Sequence, residues 1–522
     1  MQQKTIIITP PKIPVTKAEE NVETQVLQVT DENPGHTNTV TAIQDTTAQI
    51  QVTHLPQIHR QDIILPVDTE FPVKAAVDKV PADMAHREEV IDMIKTVLEG
   101  SDILSFPPKA EGIPVAPVVS LEHGLMLDDR VFESPTLIMG SVGSGKSFLL
   151  DKIMNPIFQH AKKNKDNVIV FCAKKEFLKY KELDDIVISV DTKDPKGCWN
   201  VFKELKASNN PELTARDIAK SLTKDQRSET QPFFENACND LVFNTLMSMH
   251  EDGCKKNITY TNHDLKDFLT NTKVAGEGDQ MTWKKVAKLR PERFGHIDDY
   301  LGDNLGQGYG IVSEIRTLIH DCFWDSFASD SGEFSAIESL KEGGKKIFLY
   351  YDFANSSEAS IKIFSTILNL LLKHSVDENN NHKTWFFLDE ASLLPKTCIA
   401  DAMSLGREAG FRLIMCLQSA ELMTRHYSEN EAKTLLSLFP NLICMRVQDS
   451  FSRSVLADRY GKSLCSYSFT APMQKTVHHA EFRPVVADSD FSKIQRKGDA
   501  ICSIPALSST SPFFYYGHKE GV

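Results

Sequence analysis

Residues Gly140-Ser141-Val142-Gly143-Ser144-Gly145-Lys146-Ser147 satisfy G-x-x-x-x-G-K-[ST], the spacing of a phosphate-cradling P-loop. Glycines let successive backbone N–H groups wrap an anion, and the following helix adds the positive end of its dipole. In such a loop Lys146 reaches the β- and γ-phosphates, and the Ser147 hydroxyl holds Mg²⁺. A second cluster lies far downstream, where the apolar run Phe386-Phe387-Leu388 ends in Asp389-Glu390. This has the form of a Walker B element, with Asp389 on the metal side and Glu390 orienting the attacking water. Gln418 follows another apolar run and is read as a γ-phosphate sensor, whereas Ser419 suits a helix cap. Arg407, in Ser404-Leu405-Gly406-Arg407-Glu408-Ala409-Gly410, is a candidate for stabilising transition-state charge at a neighbouring subunit's site. The chemistry expected is nucleoside triphosphate binding with ATP and Mg²⁺, and the adjacent carboxylates point to hydrolysis.

These groups need strands that end beside one another. Thr136–Met139 is a short apolar run before the P-loop, and a helix opens at Phe148. Asn167–Cys172 is a continuous apolar run of the kind found in central parallel strands, and Ile186–Val190 is similar. Further strands are expected at Lys346–Tyr351, Thr384–Asp389, Phe411–Leu417 and Asn441–Val447, with helical segments between them. That alternation means an α/β sheet. Residues 206–335 read as helical instead, notably from Gln231 and around Ile311, Ile315 and Leu318. The expected organisation is a flexible polar arm over 1–88, a nucleotide-binding domain begun at 89–205 and completed at 336–522, and an all-α domain inserted over 206–335. The arm has Phe71 as its one aromatic residue, and Ile6–Ile8 and Ile63–Leu65 could serve as docking strands; a loosely patterned β domain is the alternative. After it, Val90, Ile91, Met93, Ile94, Val97 and Leu98 fall on one helical face closed by Gly100, which predicts a helix.

With 522 residues, 41% of them hydrophobic, the chain can bury one large core or two to three ordinary ones. Its ten cysteines stand singly with no C-x-x-C pair, which argues against zinc ribbons and disulfide frameworks and for reduced thiols in a cytosol. No stretch reaches the length of a membrane-spanning helix, and the N-terminus is broken too soon by proline to be a signal peptide. The expected location is cytoplasmic, with recruitment to the inner face of the membrane by a partner. A net charge of −13 excludes a surface that is basic throughout, while leaving room for a basic pore lining. His478-His479 lacks further ligands at metal spacing and reads as exposed hairpin.

Several stretches, in order, resemble the type IV coupling proteins of TraD/TraG type, ATPases of conjugation and secretion in the wider FtsK/HerA-like class. They are Gly140–Ser147; Cys172-Ala173-Lys174-Lys175-Glu176; Cys198-Trp199-Asn200-Val201-Phe202; the helix start at Gln231; Leu388-Asp389-Glu390-Ala391; Leu405-Gly406-Arg407 through Phe411; Cys416-Leu417-Gln418-Ser419; Tyr460-Gly461; Phe482 onward; and Gly498 through Cys502. The resemblance covers residues 115–517. It implies a RecA-like P-loop domain with an inserted all-α domain, homo-hexamer assembly, Arg407 acting in trans and Gln418 as sensor. It also implies single-stranded DNA, relaxase or secreted proteins, and channel or membrane subunits as partners. Two departures stand out. The family's usual pair of N-terminal membrane helices is replaced by the polar arm, and Cys172 and Lys175 stand where the family has Asp and Gly in an Asp-x-Lys-Gly-Glu segment.

The leading expectation is an ATP-driven motor that delivers DNA, with attached protein, to a conjugation or secretion channel. The alternatives are a nucleotide-switched substrate receptor that does not pump DNA, and a HerA-like DNA-processing ATPase.

Overall fold

The computed structural model describes residues 92–108, 118–121, 125–223, 232–276, 279–297, 301, 305–357, 359–378, 380–470, 477–507 and 512–517. The 1–88 arm, its two candidate docking strands and Gln231 lie outside them. Fourteen strands are described: β1 Asp92–Glu99, β2 Val119–Ser120, β3 Met126–Leu127, β4 Thr136–Met139, β5 Asn167–Cys172, β6 Ile186–Ile188, β7 Lys346–Tyr350, β8 Thr384–Leu388, β9 Phe411–Leu417, β10 Asn441–Cys444, β11 Lys462–Thr470, β12 Val477–Pro484, β13 Ala500–Ser503 and β14 Phe513–Tyr516. Nine of these form one sheet in the order β14-β13-β10-β4-β9-β8-β5-β7-β6. The seven from β10 to β6 are parallel, and β13 and β14 add an antiparallel edge.

Alternation along the central strands divides the core into two layers. Leu137, Ile169, Phe171, Phe386 and Leu388 face one side, and Ile138, Val168, Val170, Trp385 and Phe387 face the other. On the second side lies the helix Lys146–Asn164. Its buried Leu149, Leu150, Ile153, Met154, Ile157, Phe158 and Ala161 form one apolar stripe at helical spacing. The helix stops at Lys165, whose left-handed φ of 59° is a helix-ending conformation.

The first side is covered by the helix Ser360–Ser375 and by helices that lie between β6 and β7. The longest of these are Pro211–Thr223, Pro232–Lys256, Asn262–Asn271 and Leu305–Cys322. Their entry and exit are tied together by buried polar groups. Asn262 accepts from Val201 N–H (2.9 Å) and donates to the carbonyls of Trp199 (2.7 Å) and Phe327 (3.0 Å). The fully buried Glu204 accepts from Trp199 Nε1 (2.9 Å), Ser335 Oγ (2.7 Å), Ala336 N (2.6 Å) and Ile337 N (3.0 Å). Two segments some 130 residues apart are thereby pinned at the same point.

One expectation fails. In the segment read as a helix, Val90 and Ile91 lie outside the described residues, and from Asp92 onward the chain is the strand β1, paired antiparallel with β11 in a separate sheet of order β1-β11-β12. Ile94, Thr96 and Val97 are β-branched, and the ladder with β11 outweighs the helical spacing of the apolar residues. A register irregularity between Val97 and Glu99 accounts for the adjacent apolar pair Val97-Leu98 within the strand. β11 and β12 form the hairpin that holds His478 and His479. All ten cysteines are free. Among the described residues no helix is long and apolar enough to cross a membrane, and no cluster of His, Cys, Asp and Glu suited to a metal is found.

Candidate active site

The P-loop connects the C-terminal end of β4 to the helix Lys146–Asn164 and is held from three directions. Gly140 N–H donates to Leu417 O at the end of β9 (3.1 Å), Ser141 N–H to Arg446 O beyond β10 (2.7 Å), and Gly498 N–H to Ser144 O (2.8 Å). Gly145 has φ of +113°, and a Cβ there would lie 2.8 Å from Gly498 N. Only glycine meets both demands. The loop is thus shaped before any ligand arrives. Lys146 Nζ is buried beneath it and donates to the carbonyls of Gly140 (2.5 Å) and Ser141 (3.2 Å). Burial lowers the Lys146 pKa, and the Glu390 carboxylate offsets part of that effect.

Because β4, β9 and β8 are adjacent and parallel, their C-terminal ends lie side by side. This brings Ser147, Asp389, Glu390 and Gln418 to the loop. Asp389 is almost fully buried, and neither carboxylate oxygen accepts a hydrogen bond of good geometry. Burial pushes its carboxyl above the usual range, against the pull of the nearby Lys174 ammonium. A buried carboxylate with free lone pairs beside a hydroxyl is a donor set suited to a hard divalent cation. Glu390 has a left-handed backbone, φ 57°, uncommon for a residue with a side chain and frequent at functional sites. Its carboxylate accepts from Gln418 Nε2 (2.6 Å) and Ser392 Oγ (2.9 Å), so both oxygens are oriented. Ser392 escaped the sequence reading, for a serine two residues past an acid carries no spacing signal. Ser419 Oγ accepts from Glu421 N–H (3.0 Å) and shares a hydrogen bond with Ser452 Oγ (3.3 Å).

Lys174 stands in the Cys172–Glu176 stretch of the family resemblance, to which the sequence reading assigned no role. The ammonium lies 2.7 Å from Ser147 Oγ and 3.4 Å from Asp389 Oδ2, between the two groups expected to hold the metal.

Arg407 is not brought to this cluster. It sits in the turn before β9, at the N-terminal end of that strand, where its guanidinium lies 3.6 Å from Glu133 and is 72% exposed. The P-loop is at the opposite end of the same sheet. β9 is also interior, between β4 and β8, rather than beside an edge. Gly410, with φ of +78°, closes the turn that returns the chain into β9.

A seven-stranded parallel array with a P-loop on one strand, paired carboxylates on another and a glutamine on the strand between them defines a RecA-like P-loop domain with an inserted helical domain. The chain belongs to the type IV secretion-system coupling protein family, whose DNA-binding-domain model matches residues 123–293 and 312–474. It is 22% identical over 310 residues to the coupling protein TraD of Escherichia coli (strain K12), a match that covers 57% of this chain and 40% of TraD. The chain thus spans less than half the length of that relative. Among solved structures, its fold resembles the unbound bacterial conjugative coupling protein TrwBdeltaN70, with a TM-score of 0.63 at 18% identity, covering 80% of this chain and 92% of that one. It also resembles the plasmid coupling protein TrwB in complex with ADP and Mg²⁺, with a TM-score of 0.58 at 19% identity over 81% and 94% of the two chains.

Proposed function

We propose that this chain is an ATP-hydrolysing coupling protein that recruits DNA, with attached protein, and drives it into a conjugation or type IV secretion channel. The observation that carries the reading is the convergence of Lys146, Ser147, Asp389, Glu390 and Gln418 at one end of the sheet, with Arg407 at the other. The first five make the set a hydrolysis site needs, and Arg407 stands too far off to serve it within the same chain. An arginine that cannot reach its own site can complete that of a neighbour in a ring with head-to-tail contacts.

The roles follow from the contacts. P-loop N–H groups and Lys146 bind the phosphates, and release of Lys146 from the Gly140 and Ser141 carbonyls frees its donors for them. Ser147 and Asp389 would hold Mg²⁺, which when bound neutralises phosphate charge. Glu390 accepts a proton from, or orients, the attacking water. Gln418 and Ser392 fix the rotamer of Glu390, so the sensor acts on the base as well as on the phosphate. Homo-hexamer assembly, single-stranded DNA in a central pore, and relaxase, channel and membrane-subunit partners belong to the same reading, as does recruitment to the cytoplasmic face of the membrane.

The test is steady-state ATP hydrolysis with and without single-stranded DNA. DNA should stimulate turnover, and Lys146→Ala and Arg407→Ala should each abolish the stimulation. Arginine fingers contribute about a thousand-fold or more to turnover. Mixing the two inactive variants should restore part of the activity, since one supplies Arg407 and the other an intact P-loop. Absence of DNA stimulation, or a mixture as inactive as its parts, overturns the motor and leaves the nucleotide-switched receptor.

A further inference from the structure

The loop after β5 reaches the site, and the hydrolysis scheme leaves it without work. Lys174 is its second residue, in extended backbone (φ −116°, ψ 128°), and a short 3₁₀ turn, Lys175–Tyr180, follows. That turn is firmly anchored. Phe177 is buried, Tyr180 Oη donates to Asp151 Oδ1 (2.6 Å), and Lys346 Nζ donates to Tyr180 O (2.9 Å). Its backbone therefore delivers Lys174 to a set place, while the side chain stays 42% exposed and has a path to solvent.

At that place the ammonium donates to Ser147 Oγ (2.7 Å) and pairs with Asp389 Oδ2 (3.4 Å). Ser147 lies on the first turn of the P-loop helix and Asp389 at the end of β8, two strands away from β4. Nothing in their local structure requires these two groups to share a cation. A hard divalent ion draws on the same hydroxyl and carboxylate, and an ammonium already seated there repels it and competes for those oxygens. Lys174 is the cation in ion-pair distance of Asp389 among the described residues, with the Lys146 ammonium acting on it from farther off.

We propose that Lys174 is a built-in stand-in for the divalent cation: it holds Ser147 and Asp389 together and is displaced when Mg²⁺ enters with the nucleotide. This deepens the proposed function and rests on its assignment of Ser147 and Asp389 as metal ligands. Lys174 is a positioning residue, acting on the metal ligands and not on the reacting atoms. Metal entry is opposed by the contact that must be broken, and the freed ammonium hands the state of the metal site to the loop after β5.

The test is a Mg²⁺ titration of methylanthraniloyl-ADP binding to the full chain, followed by fluorescence. Removing a charge-assisted contact that competes with the metal should lower the half-saturating Mg²⁺ concentration of Lys174→Met by about ten-fold. Lys174→Gln, also neutral, should shift the midpoint the same way, and Lys174→Arg should stay near the wild-type value. A midpoint unchanged or raised in both neutral variants overturns the proposal, because Lys174 would then be indifferent to the metal or needed to bind it. A wild-type protein whose binding shows no Mg²⁺ dependence would instead remove the assignment of Ser147 and Asp389 on which the inference stands.

Discussion

Glu204 offers the sharpest test of how the helical insert is joined to the sheet. Its two oxygens each accept two hydrogen bonds, from Trp199 Nε1 and Ala336 N on one and from Ser335 Oγ and Ile337 N on the other. In Glu204→Gln the amide oxygen keeps only one such pair. With that oxygen toward Trp199 and Ala336, the –NH₂ meets the Ser335 hydroxyl, which can rotate to accept, and the Ile337 N–H, which cannot. One buried orphaned N–H costs about 1–3 kcal/mol, and the retained bonds lose their charge assistance. Relief from burying a charge offsets part of this, leaving a net loss of about 2 kcal/mol. The assay is hydrogen exchange at the Ile337 amide together with urea unfolding. If the amide exchanges through local opening, 2 kcal/mol corresponds to about a 30-fold faster rate.

The pH dependence adds an independent sign. Burial pushes the Glu204 carboxyl above its ordinary value of 4.5, and the four donors pull it back only in part. The folded chain therefore binds this proton more readily than the unfolded chain does. Stability from this group rises as pH falls through the raised folded pKa and levels off below the unfolded one. The advantage of wild type over Glu204→Gln should accordingly widen just above pH 4.5. Unfolding midpoints and Ile337 exchange that are the same in the two proteins would refute the clamp.

Other outcomes follow from the same contacts. Gly145→Ala places a Cβ 2.8 Å from Gly498 N at a left-handed φ, and should abolish nucleotide binding measured by fluorescence while costing about 1–3 kcal/mol in thermal unfolding. Ser392→Ala removes one of two restraints on Glu390 and should lower ATP turnover about ten-fold with nucleotide affinity unchanged, as misplacement of a catalytic group does. Asn262→Ala strands Val201 N–H and two carbonyls at the neck of the insert and should cost about 3 kcal/mol in urea unfolding.

The parts of the site readable from the chain were those whose chemistry demands neighbours in sequence. A phosphate cradle needs its glycines, lysine and serine within one turn, and the Asp389-Glu390 pair needs only an apolar strand before it. The sheet was similarly legible, since buried parallel strands are continuous apolar runs, and the runs at Asn167–Cys172 and Phe411–Leu417 coincide with β5 and β9. The run at Asn441–Val447 is shorter as a strand because the chain leaves the sheet after Cys444 to brace the P-loop through Arg446. Contacts made across the fold left no trace in spacing. Gly498 supports Ser144 from the far end of the chain, and the contact of Lys174 with Ser147 joins the loop after β5 to the P-loop helix, although the Cys172–Glu176 stretch itself stood out. At Val90–Leu98 a helical period was present, yet the partner strand that decides the outcome, β11, lies more than 360 residues away.

β9 carries Arg407 just ahead of one end and Gln418 just past the other, and all seven of its residues are buried between two neighbouring strands. At about 3.3 Å per residue it is a stiff rod roughly 20 Å long. In a ring of the proposed kind, a tug on the arginine by an adjoining subunit's phosphate crosses one short turn, closed by Gly410, and then runs along the strand to the glutamine. Each subunit would then be informed by the neighbour on one side only. Such an assembly has a handedness in time, a fixed sense in which firing can pass around the circle.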